Sequence, residues 1–255
     1  MRIISYNVNG IRAAIKKGFF DWVEQNGADI ICLQEIKANK SDVDVKKLDE
    51  LGFEHYWYSA QKKGYSGVSV FTKIKPDHVE FGTGHQVSDE EGRVLQLDFG
   101  KTRLINAYFP SGTSGEHRQQ YKYQWLDELH VYLEELKKKF PKMILCGDYN
   151  IAHKEIDIHD PKGNKNTTGF LPREREWLTR LIDNEWIDTF RMFHPEPHRY
   201  SWWSQRFPTV RLNNKGWRID YIMVTSSLKK NVLDADIYHD VKHSDHCPVG
   251  LDIKL

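Results

Sequence analysis

Short apolar runs that stop abruptly at polar residues occur in both halves of the chain. Residues 30–33 read Ile-Ile-Cys-Leu and are followed by Gln34 and Glu35, while residues 143–146 read Met-Ile-Leu-Cys and precede Gly-Asp-Tyr-Asn. Runs this short and this apolar are typical of strands that are buried on both faces. Because such strands must be covered on both sides, the pattern indicates a layered fold whose strand ends carry polar side chains.

The remaining periodicities predict further strands and three helices. Alternating or β-rich segments predict strands at 2–8, 54–59, 67–72, 94–99, 103–109, 217–224 and 249–254. Apolar residues at helical spacing predict helices from 10 to about 27, over 116–140 and over 172–184, with Pro141 ending the second. The second half repeats the order of the first and no linker divides them. We therefore predict two similar halves packed as one sandwich, in a single domain spanning residues 1–255.

Composition excludes several classes of protein. The chain is 39% hydrophobic and 29% charged, and no apolar run approaches the about 20 residues that a membrane helix needs. Strand-like alternation starts at the first residues, without the pattern of a signal peptide, so we expect a cytoplasmic protein. A net charge of +1 leaves only a local site for a polyanion. Nothing marks an oligomeric interface, and we expect a monomer.

The three cysteines and the polar strand ends point to different roles. Cys32, Cys146 and Cys247 lie in apolar surroundings without CxxC spacing, which predicts core thiols. Residues able to bind metal, carry a proton or contact phosphate follow most strands: Asn7, Asn9, Glu35, Tyr108, Asp148, Asn150, Asp220, Asp245 and His246. One carboxylate at a strand end more often caps a turn, but this set favours a shared site. Oxygen donors without a cysteine or histidine cluster suit Mg²⁺, with Mn²⁺ as a substitute.

Seven motifs cover nearly the whole chain in order. They occupy residues 5–13, 33–37, 63–68, 107–110, 146–152, 216–221 and 244–248, and include Leu-Gln-Glu-Ile-Lys, Cys-Gly-Asp-Tyr-Asn-Ile-Ala and Gly-Trp-Arg-Ile-Asp-Tyr. Together they resemble the exonuclease III and abasic-site endonuclease family of the endonuclease/exonuclease/phosphatase superfamily. The resemblance implies a deoxyribonuclease-like, four-layer α/β sandwich, with two mixed β-sheets face to face and helices outside.

The same resemblance implies an activity. It indicates a Mg²⁺-dependent DNA-repair nuclease that hydrolyses the phosphodiester 5′ to an abasic site in double-stranded DNA and leaves a 3′-hydroxyl. Exonuclease activity in the 3′-to-5′ direction and 3′-phosphodiesterase activity on blocked ends would use the same centre, and the sequence does not rank the three.

The resemblance assigns roles to the residues that would hold metal and water. Metal binding falls on Asn7, Glu35 and Asp245, where Mg²⁺ would neutralise charge on the phosphate and its leaving oxygen. Asp148 matches the residue that orients or deprotonates the attacking water, with Asn150 as its hydrogen-bonding neighbour.

The phosphate-binding roles follow in the same way. Tyr108 would donate to the phosphate as negative charge accumulates. His246, paired with Asp220, matches a histidine that binds the scissile phosphate. Whether Asp148 or His246 is the general base stays open.

Two further groups of residues correspond to the family's contacts with DNA. Trp202, Trp217 and Ile219 match a small apolar pocket that accepts an extruded abasic sugar and crowds out an intact nucleoside, whereas we expect Trp203 in the core. The expected contacts to the DNA backbone and loop are Arg12, Lys16, Lys63, Tyr65, Asn164 and Thr167. Many relatives have an asparagine where Thr167 stands and an asparagine or glutamine where Ser111 stands, which puts substrate preference in doubt.

Two alternatives remain. A phosphatase or lipid phosphodiesterase of the same superfamily shares the Glu, Asp-x-Asn and Ser-Asp-His framework, but would have loops that bind lipid or inositol. A non-catalytic DNA-binding module on this fold would have lost a metal or phosphate residue, and none is missing.

Overall fold

Two mixed β-sheets form the centre of the protein in the computed structural model, which describes residues 1–205, 207 and 209–255. The first sheet has the strand order β11-β12-β1-β2-β4-β3. Its strands are β1 (Arg2–Asn7), β2 (Ile30–Gln34), β3 (Glu54–Tyr58), β4 (Val68–Thr72), β11 (Val232–Ile237) and β12 (Val249–Ile253). Among the described residues of this sheet, β1 and β2 form the only parallel pair, and the other neighbouring strands are antiparallel.

The second sheet repeats this plan with the order β5-β6-β7-β8-β10-β9. Its strands are β5 (His78–Phe81), β6 (Val94–Phe99), β7 (Thr102–Tyr108), β8 (Lys142–Asp148), β9 (Trp186–Asp188) and β10 (Asp220–Thr225). Strands β7 and β8 are parallel and lie at its centre. The predicted similarity of the two halves is therefore visible as one central parallel pair in each sheet.

Helices cover the outer faces of both sheets. The α-helices of the described residues are α1 (Ile11–Ile15), α2 (Phe19–Gln25), α3 (Lys46–Glu50), α4 (Gln86–Glu90), α5 (Glu116–Lys139), α6 (Pro172–Asp183), α7 (Thr189–Phe193) and α8 (Thr209–Leu212). Helices α1 to α3 pack on the first sheet, and α5 and α6 pack on the second. The resulting order of helices, sheet, sheet and helices is the predicted four-layer sandwich.

The central strands show why their sequences are apolar without interruption. In β2, Ile30 and Cys32 belong to the core between the sheets, whereas Ile31 and Leu33 belong to the core under the helices. Successive side chains of a strand point to opposite faces, so both sets are buried only if both faces are covered. Strand β8 behaves in the same way, and Cys32, Cys146 and Cys247 are free, buried thiols, as predicted.

A polar crossing connects the two sheets within this apolar core. Gln34 Nε2 on β2 donates to Asn106 Oδ1 on β7 at 2.7 Å, and Asn106 Nδ2 donates to the carbonyl oxygens of Leu33 at 3.0 Å and Ser69 at 2.9 Å. Gln34 and Asn106 are fully buried. Each satisfied hydrogen bond contributes about 1 kcal/mol, while an unpaired buried amide costs more. The crossing therefore favours one alignment of the two sheets.

Several elements differ from the prediction. The segment predicted as one helix up to Gly27 forms α1 and α2, because Gly18 takes a φ of 88° in the left-handed region and interrupts the helix. The strand predicted from Trp217 begins at Asp220, since residues 217–219 leave the regular ladder. The sequence did not indicate β5, β9 or β11. In the described part of the chain, none of the helices has the length and apolar composition to cross a membrane.

Candidate active site

Polar strand ends from both sheets meet at one edge of the sandwich. Across the second sheet, Tyr108 lies beside Asp148 and Asp148 lies beside Asp220 in the strand register. From the first sheet, Asn7 Nδ2 donates to Asp148 Oδ2 at 2.8 Å and to Glu35 Oε2 at 3.1 Å. One buried amide thus connects carboxylates carried by different sheets, and the structure brings these predicted residues together.

A buried histidine lies between two carboxylates of this site. His246 Nδ1 contacts Asp220 Oδ2 at 2.9 Å, and its Nε2 lies 3.8 Å from Asp148 Oδ2. Burial alone would lower the pKa of His246, but the charges of Asp220 and Asp148 raise it to about 10. At neutral pH the imidazole is therefore a cation, whose Nδ1 proton faces Asp220 and whose Nε2 proton faces Asp148.

Asp148 has the opposite perturbation. Burial raises its pKa from 3.8 to about 7, although the His246 cation and hydrogen bonds from Asn150 and Asn7 oppose the shift. Asn150 follows with a φ of 52°, in the left-handed region that asparagine tolerates better than most residues. Its backbone N donates to Asp148 Oδ1 at 2.8 Å, and its side chain donates to the Phe109 carbonyl at 3.0 Å. Asn150 thereby fixes the orientation of the Asp148 carboxylate.

Glu35 and Asp245 provide carboxylate oxygens at the entrance of the site. Lys37 Nζ lies 2.9 Å from Glu35 Oε1 and donates to Asn9 Oδ1 at 2.6 Å. Asn9 Nδ2 in turn donates to Asp245 Oδ1 at 2.9 Å. Although burial opposes it, the His246 charge, together with hydrogen bonds, holds the pKa of Asp245 below its usual value. Both side chains are therefore placed by neighbours and available as anionic oxygen donors.

Two separate groups of side chains at the site offer ligand atoms for a divalent cation. Asn7, Glu35 and Asp245 offer only oxygen as ligand atoms, which suits Mg²⁺ or Mn²⁺. Among the described residues, Asp148, Asp220 and His246 also form a group whose ligand atoms lie within 4.8 Å of one another. In that group the His246 cation already balances the carboxylates. In the set around Glu35, the positive charge comes from Lys37, a lysine on the same loop as Glu35.

Tyr108 approaches the site from the end of β7. It is 9% exposed, and burial, followed by the nearby charges of Glu35 and Asp148, raises the pKa of its phenol well above the usual value. The Arg93 guanidinium lies 4.9 Å from the centre of its ring and donates to its carbonyl oxygen at 2.8 Å. Tyr108 is therefore a neutral, positioned hydrogen-bond donor at any physiological pH.

A cluster of apolar side chains, called the apolar recess below, adjoins the charged cluster. Ile219 packs with Phe170, Ile158 and Ala152, and Trp202 and Trp217 lie against this group. The two indole rings meet edge to face with centroids 5.9 Å apart. Trp202 Nε1 donates to Asp245 Oδ2 at 3.1 Å, so the recess and the carboxylates share a side-chain contact. The predicted pocket residues come together, and Trp203 is buried in the core between the sheets, as expected.

The basic residues predicted to contact DNA are only partly grouped. Arg12, Lys63 and Tyr65 line one surface depression of about 460 Å³. Tyr65 is fixed there, because Arg118 Nη2 donates to its hydroxyl at 3.0 Å. Lys16 is exposed at the end of α1 and is not among the residues that line this depression.

The loop around residue 164 stabilises itself. Asn164 Nδ2 donates to the carbonyl of Asp160 at 2.9 Å, and Thr167 Oγ1 donates to Asn164 Oδ1 at 3.4 Å. Ser111 Oγ lies 3.0 Å from Thr113 Oγ1. The side chains of Asn164, Thr167 and Ser111 therefore form hydrogen bonds within their own loops.

Sequence reasoning missed several residues that support the site. Lys37 ends the Leu-Gln-Glu-Ile-Lys motif, and its contact with Glu35 is visible only in the structure. Phe170 forms part of the recess wall beside Trp217. Lys122 and Glu174 are both fully buried and form an ion pair at 2.6 Å behind Asn150. The available signal for Lys122 was its place among the apolar positions of the long helix, where a lysine is unusual.

Comparison with known proteins decides the family. A family model described as Endonuclease/Exonuclease/phosphatase family matches residues 4–246. The chain belongs to the endonuclease/exonuclease/phosphatase family. An exodeoxyribonuclease of Bacillus subtilis (strain 168) is 45% identical to this chain over 257 residues, and the alignment covers all of both chains.

Two other members resemble it over most of their length. DNA repair nuclease APEX1 of Danio rerio is 38% identical over 254 residues, which cover 98% of this chain and 81% of that one. An AP endonuclease from Archaeoglobus fulgidus has a structure matching all of both chains with a TM-score of 0.89 and 28% identity. The predictions of family, fold and enzyme class are confirmed: this endonuclease/exonuclease/phosphatase protein is a nuclease. The roles of single residues stay predictions.

Proposed function

We propose that this protein is a Mg²⁺-dependent DNA-repair nuclease that cuts the phosphodiester immediately 5′ to an abasic site in double-stranded DNA and leaves a 3′-hydroxyl. The observation that carries the proposal is the direct contact between the charged cluster and the apolar recess. Trp202 donates to Asp245 at 3.1 Å, and its ring centroid lies 6.4 Å from that of His246. A sugar bound against Trp202 would therefore bring its phosphate close to the carboxylates.

Asp148 acts as the general base in this proposal. Its pKa of about 7 lies near the working pH, where a base combines availability with basicity. His246, with a pKa of about 10, is already protonated and binds the phosphate as a cation held by Asp220. Asn150 keeps the Asp148 carboxylate oriented, and Tyr108 donates to the phosphate oxygens as charge builds up. The choice that the sequence left open thus falls on Asp148.

Asn7, Glu35 and Asp245 hold the metal. Their ligand atoms are oxygens, as Mg²⁺ requires, and Mn²⁺ can take its place. When bound, the ion supplies positive charge beside the phosphate and its leaving oxygen. Lys37 lies 2.9 Å from Glu35 and keeps that side chain aligned.

The recess gives selectivity for damage. Trp217, Trp202 and Ile219 belong to one apolar cluster beside Asp245, and the proposal is that an extruded sugar without a base binds against these side chains. Extruding a nucleotide costs least where stacking and pairing are already lost, so an abasic site enters more easily than an intact one.

The DNA backbone lies across the basic depression. Arg12, Lys63 and Tyr65 contact phosphates there, and Lys16 adds an exposed charge beside it. Asn164 and Thr167 contact the opposite side of the lesion once their mutual hydrogen bond opens. These contacts position the duplex without reading its sequence.

We also propose the setting in which the enzyme works. Residues 1–255 form one catalytic domain, since the site takes side chains from both sheets. We propose further that the enzyme is a monomer and that it acts in the cytoplasm. Size-exclusion chromatography with light scattering would measure the mass directly, and a dimer would contradict the monomer.

The deciding experiment compares three labelled DNAs: a duplex with one abasic-site analogue, the undamaged duplex, and a duplex with a recessed 3′ end. Wild type, Glu35→Ala and the control Glu135→Ala are assayed with Mg²⁺ or EDTA. Glu135 is an exposed carboxylate on α5 whose ion pair with Lys138, at 2.6 Å, lies at the surface away from the site. We expect metal-dependent incision 5′ to the lesion by wild type and the control, and deep loss in Glu35→Ala.

The same assay ranks the related activities. Shortening of the recessed end at a rate comparable to incision would make 3′-end trimming an equal function, as the resemblance to an exodeoxyribonuclease suggests. Absence of cleavage of all three DNAs with either Mg²⁺ or Mn²⁺ refutes the proposal. Phosphoinositides and pure DNA binding would then be tested in turn.

A further inference from the structure

A fully buried ion pair lies behind the loop that carries Asp148 and Asn150. Lys122 on α5 and Glu174 on α6 are each 0% exposed, and their charged groups are 2.6 Å apart. Removing two charges from water is costly, and a pair of apolar residues often stabilises a fold as well or better. Stability alone therefore does not account for the pair.

The lysine has a second partner that belongs to the site. Lys122 Nζ donates to the carbonyl oxygen of Asn150 at 2.9 Å. Asn150 is held at a φ of 52°, in the left-handed region that asparagine tolerates better than most residues. The Lys122 cation is thus bonded to the backbone of the residue that orients Asp148 through two hydrogen bonds.

The glutamate holds a second loop. Glu174 Oε2 accepts from the backbone N of Gly169 at 2.7 Å and of Leu171 at 2.9 Å. Between them lies Phe170, which forms part of the apolar recess. The two loops are also joined directly, because the Ala152 N donates to the Gly169 carbonyl at 2.8 Å.

We propose that Lys122, fixed by Glu174, is a positioning residue for the hydrolytic reaction that acts through the Asn150 carbonyl to set the Asp148 carboxylate. Lys122 touches neither substrate nor metal. Its ammonium replaces the hydrogen bonds that the Asn150 carbonyl would otherwise make to mobile water, so the loop keeps one conformation during turnover. The inference rests on the proposed function, since that function defines the reaction being positioned.

The proposal predicts a particular split of the kinetic constants. Lys122→Met removes the donor while keeping an unbranched chain of similar length. A catalytic group displaced by about 1 Å loses on the order of 100-fold in rate, so we expect kcat for abasic-site incision to fall by about that factor. KM should stay nearly unchanged, because the DNA-contacting residues are left in place. Lys122→Arg, which keeps the charge and the donors, should recover part of the lost kcat.

A matched control comes from the same helix. Lys137 also donates its Nζ to a backbone carbonyl, that of Asn184, at 2.8 Å, but it lies four turns away from the site. Lys137→Met should leave kcat and KM at the wild-type values. A loss of kcat common to both variants would indicate a general effect of removing a lysine from α5.

The decisive test is a double-mutant comparison in the incision assay, with far-UV circular dichroism verifying that each variant is folded. If Lys122 acts by setting the Asp148 carboxylate, Lys122→Met costs far less in an Asp148→Asn background than alone, because the carboxylate that Lys122 positions is already lost. Asn150→Ala would not serve, since it keeps the backbone carbonyl that Lys122 contacts. Effects that multiply within about twofold, or an unchanged kcat in folded Lys122→Met, overturn the inference. Should Lys122→Met fail to fold, Lys122→Met/Glu174→Gln removes both charges and takes its place. An inactive wild type refutes the proposed function, whereas an active wild type with an unaffected variant refutes only this inference.

Discussion

Asp157 forms buried ion pairs that hold Arg218 next to the start of β10. Replacing Asp157 by asparagine tests how much these ion pairs stabilise the fold. Asp157 is 1% exposed and accepts from Arg218 Nε at 2.8 Å and from Arg191 Nη2 at 2.5 Å. Arg218 lies between Trp217 and Ile219 in the chain. Asp157→Asn keeps the shape of the side chain but removes the charge that balances the two guanidinium groups.

The magnitude follows from the pKa of Asp157. Burial alone would raise it, but the charges of Arg218 and Arg191 lower it from 3.8 to about 2. A difference of nearly two units, at about 1.4 kcal/mol each, gives roughly 2 to 3 kcal/mol. Because the folded-state pKa lies below the unfolded-state value, this stabilisation is complete above about pH 5 and is lost as the pH falls toward 2. The unbalanced arginines bring the expected loss at pH 7 to about 3 to 5 kcal/mol.

The assay is urea unfolding followed by far-UV circular dichroism at several pH values between 7 and 2.5. Asp127→Asn is the matched control, since Asp127 also pairs with two arginines but on the surface, with its side chain 53% exposed. Such exposed pairs contribute about 0 to 1 kcal/mol. The reasoning fails if Asp157→Asn is as stable as Asp127→Asn at pH 7, or if its deficit relative to wild type does not shrink on acidification.

Three further outcomes are expected. Asp220→Asn should lower the pKa of His246 from about 10 toward its usual value, because the nearest counter-charge is gone; NMR titration of the metal-free protein would show it, and an unmoved pKa would contradict the assignment. Lys63→Ala should reduce the slope of log affinity for DNA against log salt by about 0.9, as measured by fluorescence anisotropy; an unchanged slope means that Lys63 meets no phosphate. Gly169→Ala places a Cβ 3.0 Å from Trp217 Cζ3 at a φ of 90°, so thermal unfolding should reveal a loss of more than about 1 kcal/mol; equal melting temperatures would count against it.

The sequence predicted the elements that decide the fold because their signals are local. Uninterrupted apolar runs at residues 30–33 and 143–146 reflect burial on both faces, and the structure places them at the sheet centres. Strand β11 escaped prediction because its register shifts between Val232 and Asp234, where the apolar Leu233 is 60% exposed and interrupts the apolar–polar alternation of the sequence. A strand at the edge of a sheet is specified by its neighbour more than by its own residues.

The candidate site was likewise predictable only where its signals are local in the sequence. Asp148 and His246 stand in motifs beside strand ends, so their proximity could be inferred. The bonds that position them join residues far apart in the chain, as Lys122 and Glu174 do across 52 positions, and no periodicity reports such pairs. The pKa values of Asp148 and His246 likewise depend on how deeply the fold buries them together, which spacing does not reveal.

The Asn7 to Asp148 hydrogen bond spans the junction of the two sheets, and its length limits how far they can slide. At 2.8 Å it tolerates less than about 1 Å of displacement before it ceases to be a bond. Half of the reactive groups travel with each sheet, so a slight slip between intact sheets disassembles the centre while every strand remains paired. On heating, activity should therefore disappear at a lower temperature than the one at which circular dichroism detects unfolding. Turnover is then a more sensitive measure of sheet alignment than secondary structure.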